Sequence, residues 1–369
     1  MKRILVVVDN LNSGGIASVV LNISESADTE NYIFDYIVYK QPNKEIVQRI
    51  EKIKGKYFVV NRLSETTPFK YVKNIREIIR TNGPYDAIHA HTSSFIWLSC
   101  LAAKKENISI RVGHAHGSKN SKQFLLSEMF YSTLKFLNRK YCTKKIACAE
   151  ISGQYIFGNE FDFIPNFIDH KKYLTVNKEE IDEFMLQHNI PRTFEIYCFI
   201  GYLGGEKNPM FALKLFKEIL SDHSNSLLLI AGEGPDSNQI GEYIKENKME
   251  NKVKMFGNTD KVKEILQISH TLLMPSFSEG MSMALLEAQI SGVNCIVSKG
   301  VPKTNDIKAG LFHQCPILSV SNWIDMIKEV KKRDKISQIE IVKSLQKIEY
   351  NKESVVKKYE IIYSNLNSE

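Results

Sequence analysis

Short apolar runs alternate with amphipathic stretches along nearly the whole chain, and the pattern starts over once. Residues 4–8, 33–39, 57–60, 87–89, 110–113 and 146–149 have the length and composition of strands. Residues 16–23, 69–79, 95–103 and 124–141, lying between them, have the spacing of helices. Ile16, Val19, Val20 and Ile23 repeat at i, i+3, i+4 and i+7, which is one apolar helix face. The alternation then returns, with strands at 196–200, 227–231, 253–256, 271–274 and 294–297 and helices at 210–220, 238–247, 262–268 and 283–291. Such alternation calls for a parallel sheet covered on both faces.

Two rounds of it predict an α/β chain of two Rossmann-like, doubly wound parallel-sheet domains. The first is expected over residues 1–166 and the second over 167–345, with the boundary at the proline turn Ile164-Pro165-Asn166-Phe167-Ile168-Asp169. A length of 369 residues suits two domains. Residues 346–369 keep helical spacing and are expected to return to the first domain as a C-terminal helix. Ligands of doubly wound sheets bind outside the carboxyl ends of the strands, where strand order reverses. Two such domains facing across a cleft would suit a group transfer.

Composition narrows the classes. No apolar run approaches the ~18 residues a membrane-spanning helix needs. The run at 4–8 ends at Asp9 and is too short for a signal-peptide core, so a cytoplasmic protein is expected. The six cysteines form no C-x-x-C pair and read as buried, reduced thiols. The net charge of +7 is uneven: residues 1–165 carry 23 Lys and Arg against 15 Asp and Glu, the rest 26 against 27. The front half could therefore meet phosphate groups, anionic lipid or nucleic acid, or simply reflect a lysine-rich composition. With no recognised nucleic-acid motif, nucleic-acid binding is disfavoured.

Four constellations could carry chemistry. Asn12-Ser13-Gly14-Gly15 follows the first strand, where glycine permits close backbone approach and a helix start offers N–H groups. His89-x-His91 and His114-x-His116 stand at two strand ends, each pair on one strand face. Their reading as one hydrogen-bonding ligand with structural neighbours is preferred to a metal site, since no Asp-x-Asp pair accompanies them. Lys207 lies in the turn Gly201-Tyr202-Leu203-Gly204-Gly205-Glu206-Lys207, where it could face a diphosphate as a point charge or stay solvated. The strongest is Pro275-Ser276-Phe277-Ser278-Glu279-Gly280-Met281-Ser282, leading into a helix that carries Glu287. Gly280, Met281 and Ser282 would offer amides to phosphate oxygens. A carboxylate such as Glu287, set among apolar residues, asks for a partner and can accept from two vicinal hydroxyls.

Taken together, these residues resemble retaining glycosyltransferases of family 4, of the GT-B fold, and within them the bacterial exopolysaccharide and capsule enzymes. Glu279 and Glu287 match the E-x7-E motif, Gly14-Gly15 the first glycine loop, His116-Gly117 the strand-end histidine and Lys207 the diphosphate lysine. Ile164 to Asp169 resembles the interdomain IPNGID, with Phe167 for glycine. The resemblance implies catalytic roles for His116, Lys207 and Glu279. Donor contacts would come from Gly15, Tyr202, Gly280, Met281, Ser282 and Glu287, and acceptor-side contacts from Gly14 and His91. It implies a nucleotide-sugar donor, a UDP-sugar in this reading, a lipid-linked glycan acceptor, and neither metal nor other cofactor. One departure stands out. The family has an arginine five residues before the lysine, and this chain has the uncharged Tyr202. That departure motivates a second reading, a non-catalytic GT-B subunit supporting a partner glycosyltransferase. A nucleotide-sugar epimerase is a third.

Residues 122–145 combine Phe130, Leu134, Leu137 and Tyr141 at i, i+4, i+7 and i+11 with Lys135, Arg139, Lys140, Lys144 and Lys145. Aromatic and basic residues together can dock on anionic membrane, which would place the protein on the inner face of the cell membrane. The plainer reading turns that stripe into the core.

Overall fold

The computed structural model describes residues 1–117, 126–175, 177–331 and 336–364. The chain divides into two units, residues 1–167 with 352–369, and residues 168–351.

The first unit holds a seven-stranded sheet built from β1 (Lys2–Val7), β2 (Tyr32–Val38), β3 (Tyr57–Val59), β4 (Ala87–Ala90), β5 (Ile110–Ala115), β6 (Lys144–Ala147) and β7 (Asp162–Phe163), in the order β3-β2-β1-β4-β5-β6-β7. The second holds six strands, β8 (Glu195–Ile200), β9 (Ser226–Ala231), β10 (Val253–Gly257), β11 (Thr271–Met274), β12 (Asn294–Ser298) and β13 (Phe312–Cys315), in the order β10-β9-β8-β11-β12-β13. Every pairing is parallel. Strand order reverses between β1 and β4 in one sheet and between β8 and β11 in the other, so each unit has one switch point.

Near-continuous apolar strands make this possible. In β9, Ser226 to Ala231 are all buried, as a parallel strand covered on both faces requires. The second sheet carries a separate apolar cluster on each face. One gathers Tyr197, Phe216 and Trp323; the other gathers Cys198, Leu229 and Leu285. Each such side chain contributes roughly 1.5–3 kcal/mol by leaving water. All six cysteines are buried and unpaired by disulfide.

Several elements were not anticipated. The two-residue β7 and the half-polar β13 are too short to show period. The helices Lys44–Lys52 and Val320–Val330 do carry signals, in an Asn43 cap and in Trp323, Ile327 and Val330 at helical spacing. The polar tail also divides. Gln338–Lys347 packs within the second unit, against Met283–Ile290, while Lys352–Ser364 belongs to the first. In that last helix Tyr363 is fully buried. Its ring lies 5.9 Å from Phe34, its carbonyl accepts from Lys2 Nζ at 2.9 Å, and its hydroxyl meets His89 Nδ1 at 2.7 Å. Tyr363→Ala is expected to destabilise the first unit by about 3 kcal/mol, as for other large-to-small aromatic truncations. A urea titration followed by far-UV circular dichroism checks this, and an unchanged midpoint would contradict the packing described.

Candidate functional site

The second switch point brings together two loops that are far apart in sequence. One follows β8 and runs from Gly201 to Asn208; the other follows β11 and runs from Pro275 to Ser282. Contacts between side chains and backbone hold them together. Lys207 Nζ donates to both oxygens of Glu279, at 2.7 and 2.9 Å. The Phe277 amide donates to the Glu206 carbonyl at 2.7 Å. Asn208, in the left-handed region at φ 53°, donates from Nδ2 to the Pro275 carbonyl at 3.3 Å. Glycine also lets the loop after β9 pass close to the loop after β8. Gly232 has φ +144°, and a Cβ there would stand 1.8 Å from the Gly201 carbonyl oxygen.

Glu279 is buried and Lys207 is part-exposed. The lysine side chain thus keeps some access to solvent while its partner has little. Such a charge-assisted pair contributes roughly 1.5–3 kcal/mol, and an anion of comparable charge can compete for the same lysine.

Glu287 projects from the helix Met283–Ile290. Burial raises its carboxyl above the usual 4.5, opposed by a hydrogen bond from the Tyr173 hydroxyl. Burial and the nearby carboxylate push the Tyr173 phenol well above its ordinary range, so it stays a donor. The Tyr173 backbone is fixed in turn, its carbonyl accepting from Gln267 Nε2 at 2.5 Å.

The turn between the two glutamates is held from inside. Asn305, fully buried, accepts from the Ser282 amide through Oδ1 at 2.7 Å and donates from Nδ2 to the Gly280 carbonyl at 2.8 Å. The Ser282 amide is thus spent within the protein, and the phosphate contact expected of it does not fit this conformation. Gly280 and Met281 lie on the same turn, and Met281 is buried. Tyr202 lies on the loop after β8 and is 58% exposed, with its ring in solvent rather than against Lys207.

The first unit has its own switch-point residues. Gly14, at φ +101°, closes the loop after β1, and Gly15 begins the helix Gly15–Ser26. A Cβ on Gly14 would meet nothing within 4 Å, so that turn is open. His91 and His116 stand at the ends of β4 and β5, joined from Nδ1 of one to Nε2 of the other at 2.8 Å. Burial lowers both: His116 falls to about 3, and His91 goes well below the ordinary imidazole range under burial and its neighbours His89 and His116. His91 is 3% exposed, so the acceptor-side contact expected of it does not fit; it positions His116 instead.

Sequence reasoning missed Asn305 and Tyr173. Asn305 braces the turn between the two glutamates and Tyr173 acts on Glu287, and neither belongs to a spaced motif. The stripe 130-134-137-141 also resolves differently. On the helix Leu126–Tyr141, Leu134 and Asn138 are buried, whereas Met129, Phe130 and Phe136 are exposed. Residues 122–125, the front of the segment 122–145, lie outside the described residues.

Family models match a stretch of each unit. Residues 13–172 match Glycosyltransferase Family 4, and residues 180–332 match Glycosyl transferases group 1. A putative glycosyltransferase EpsF of Bacillus subtilis is 28% identical over 88% of this chain and 87% of its own length. An Escherichia coli enzyme named UDP-Gal:alpha-D-GlcNAc-diphosphoundecaprenol alpha-1,3-galactosyltransferase is 27% identical over 58% of each chain. The crystal structure of HepE from Anabaena, in complex with UDP and glucose, superposes with a TM-score of 0.81 at 14% identity, covering 99% of this chain and 100% of that one. At that identity the likeness is one of fold.

Glu287→Gln keeps the side chain's size and an oxygen for Tyr173. A folded-state pKa raised above the unfolded 4.5 means that stability is lost as pH climbs from about 4.5 toward the folded value. The variant is therefore expected to be more stable than wild type near neutral pH and equal to it at acid pH, below the unfolded pKa. Thermal melts across that range check it; a variant less stable at neutral pH would contradict the raised pKa of this half-buried carboxyl.

Proposed function

The chain is a glycosyltransferase of the GT-B fold, joining a Family 4 domain to a group 1 domain, and on that premise we propose that it moves a hexose-type sugar from a UDP-sugar to a lipid-linked glycan with retention of anomeric configuration. The observation that carries this reading is the Lys207–Glu279 pair at the second switch point. A bound diphosphate would take over the Lys207 ammonium. Glu279, released from the lysine, would then accept hydrogen bonds from hydroxyls of the sugar. Lys207 would neutralise the charge that develops on the departing diphosphate, and this stabilisation would be the main source of rate. Glu287 would hold the two ribose hydroxyls, with Tyr173 fixing its orientation.

Retention follows if the acceptor hydroxyl attacks on the face from which the diphosphate leaves. The protein's task is then orientation and charge stabilisation rather than covalent chemistry. No metal is needed in this scheme, because lysine and backbone amides meet the phosphate charge. Gly15, Gly280, Met281 and Tyr202 are assigned to donor contacts, and Gly14 and His116 to substrate contacts on the first unit.

The acceptor assignment draws on the E. coli relative, whose name specifies a diphosphoundecaprenol-linked sugar. A role in bacterial polysaccharide biosynthesis, at the inner face of the membrane, follows from such an acceptor. Among the described residues no helix is long and apolar enough to cross a membrane. The helix Leu126–Tyr141 suits surface contact instead. Met129 is 81% and Phe136 53% exposed, and Lys140 Nζ lies 5.8 Å from the Phe136 ring centre.

Two experiments test the proposal. Incubation with a panel of UDP-sugars and a membrane extract is expected to release UDP from one of them. Lys207→Ala and Glu279→Ala are each expected to lower the rate by about 100-fold or more. Release from no donor, or activity surviving in both variants, would overturn the assignment. Separately, the protein is expected to sediment with liposomes containing anionic lipid at low salt, and Phe136→Ser with Lys140→Glu to abolish this. Absence of sedimentation by the wild type would remove the membrane-contact assignment and leave the donor site standing.

A further inference from the structure

We propose that His89, His91 and His114 form a binding site for one divalent first-row transition-metal ion, of the zinc type, inside the first unit. One ring nitrogen from each lies within 4.8 Å of those of the others, and all three residues are buried. The register of the sheet produces this cluster. Ala90 pairs with Gly113, which sets His91 level with His114 on the neighbouring strand, and His89 shares the face of His91 at i, i+2. The rings accordingly lie close: His89 to His91 at 4.2 Å, His91 to His114 at 4.9 Å and His89 to His114 at 5.3 Å.

The hydrogen bonding points to a missing ligand. Both ring nitrogens of His114 are buried without a partner, and so is Nε2 of His89. Polar atoms buried this deeply ordinarily have partners. Coordination would use the lone pair of His89 Nε2 and of one His114 nitrogen. His89 is also oriented as metal-bound histidines are, because its other nitrogen, Nδ1, meets the Tyr363 hydroxyl at 2.7 Å. His91 is braced in the same way through Nδ1 by His116.

Chemistry selects the class of ion. A site of imidazoles alone favours zinc, nickel, cobalt or copper over magnesium or calcium, which prefer oxygen. With metal–nitrogen bonds of about 2.0–2.1 Å, two ligands of a tetrahedral ion stand about 3.4 Å apart, so modest ring rotations from the present spacing would close the site. Three neutral imidazoles leave the fourth position to water, hydroxide or an anionic group. The ion would tie β4 and β5 to the helix Lys352–Ser364 through Tyr363. None of the three ligands is among the residues assigned to donor or substrate contacts, while His91 also braces His116, and metal uptake is read without reference to sugar transfer.

The test uses the full-length chain without an affinity tag, freed of metal by a chelator. Zinc, cobalt or nickel is added alone, excess ion is removed by gel filtration, and bound metal is counted by mass spectrometry. One ion per chain is expected, with a thermal midpoint that rises with ion concentration. Cobalt is expected to give the visible absorption of a low-coordinate nitrogen site. His114→Gln is expected to abolish uptake, and Tyr363→Phe to weaken it by about tenfold or more. His223→Gln, at an exposed position, is expected to change nothing. Should His114→Gln fail to fold, His89→Gln takes its place. No stoichiometric uptake by the wild type, or full uptake by a folded His114→Gln or His89→Gln variant, would overturn the proposal and leave a dry or hydrated histidine stack.

Discussion

Two loops of the second unit, 72 residues apart in the chain, meet through one ammonium and one carboxylate. The contact depends on topology before it depends on chemistry. β8 and β11 are neighbours, but their connections depart toward opposite edges of the sheet, so the ends of both strands stay open to each other. Glycines let the loops after β8 and β9 pass backbone to backbone, and Asn305 fixes the turn after β11 from behind. Those constraints leave Lys207 partly exposed beside a buried Glu279. On the proposed reading, the lysine charge is in place before the diphosphate arrives, held there by the carboxylate that the diphosphate would displace.

The first unit uses a different device at its own switch point. Where the second unit places opposite charges, the first stacks four imidazoles under a C-terminal helix. Burial keeps them neutral, and hydrogen bonds to Tyr363 and between His91 and His116 order them. Such a stack suits rigidity and ligation more than charge. It explains why His91, which looks like a surface ligand on the basis of spacing, is instead a buried support.

Much of this was legible in the sequence because it is local. Strand and helix alternation depends on short apolar runs, and the runs at 4–8, 196–200 and 227–231 coincide with central strands of the two sheets. Glu279 and Glu287 could be singled out because both lie in one loop-to-helix segment. What stayed hidden is long-range or aperiodic. Nothing in the spacing of Asn305 says that it holds Ser282 and Gly280, and nothing in Tyr173 says that it donates to Glu287. The amide of Ser282 was expected to be available to phosphate for the same reason: sequence shows a helix start, but not the side chain that already occupies it. β13 escaped because His313 and Gln314 interrupt its apolar character within four residues.

In the proposed reading Lys207 recognises a diphosphate while Glu279 waits as its replaceable counterion. Titration calorimetry of UDP and of uridine, each into the wild type and into Lys207→Met, tests that claim most directly. The account requires that the variant lose affinity for UDP while uridine binds both proteins alike. Equal binding of UDP to both proteins would contradict it, as would a parallel loss for uridine.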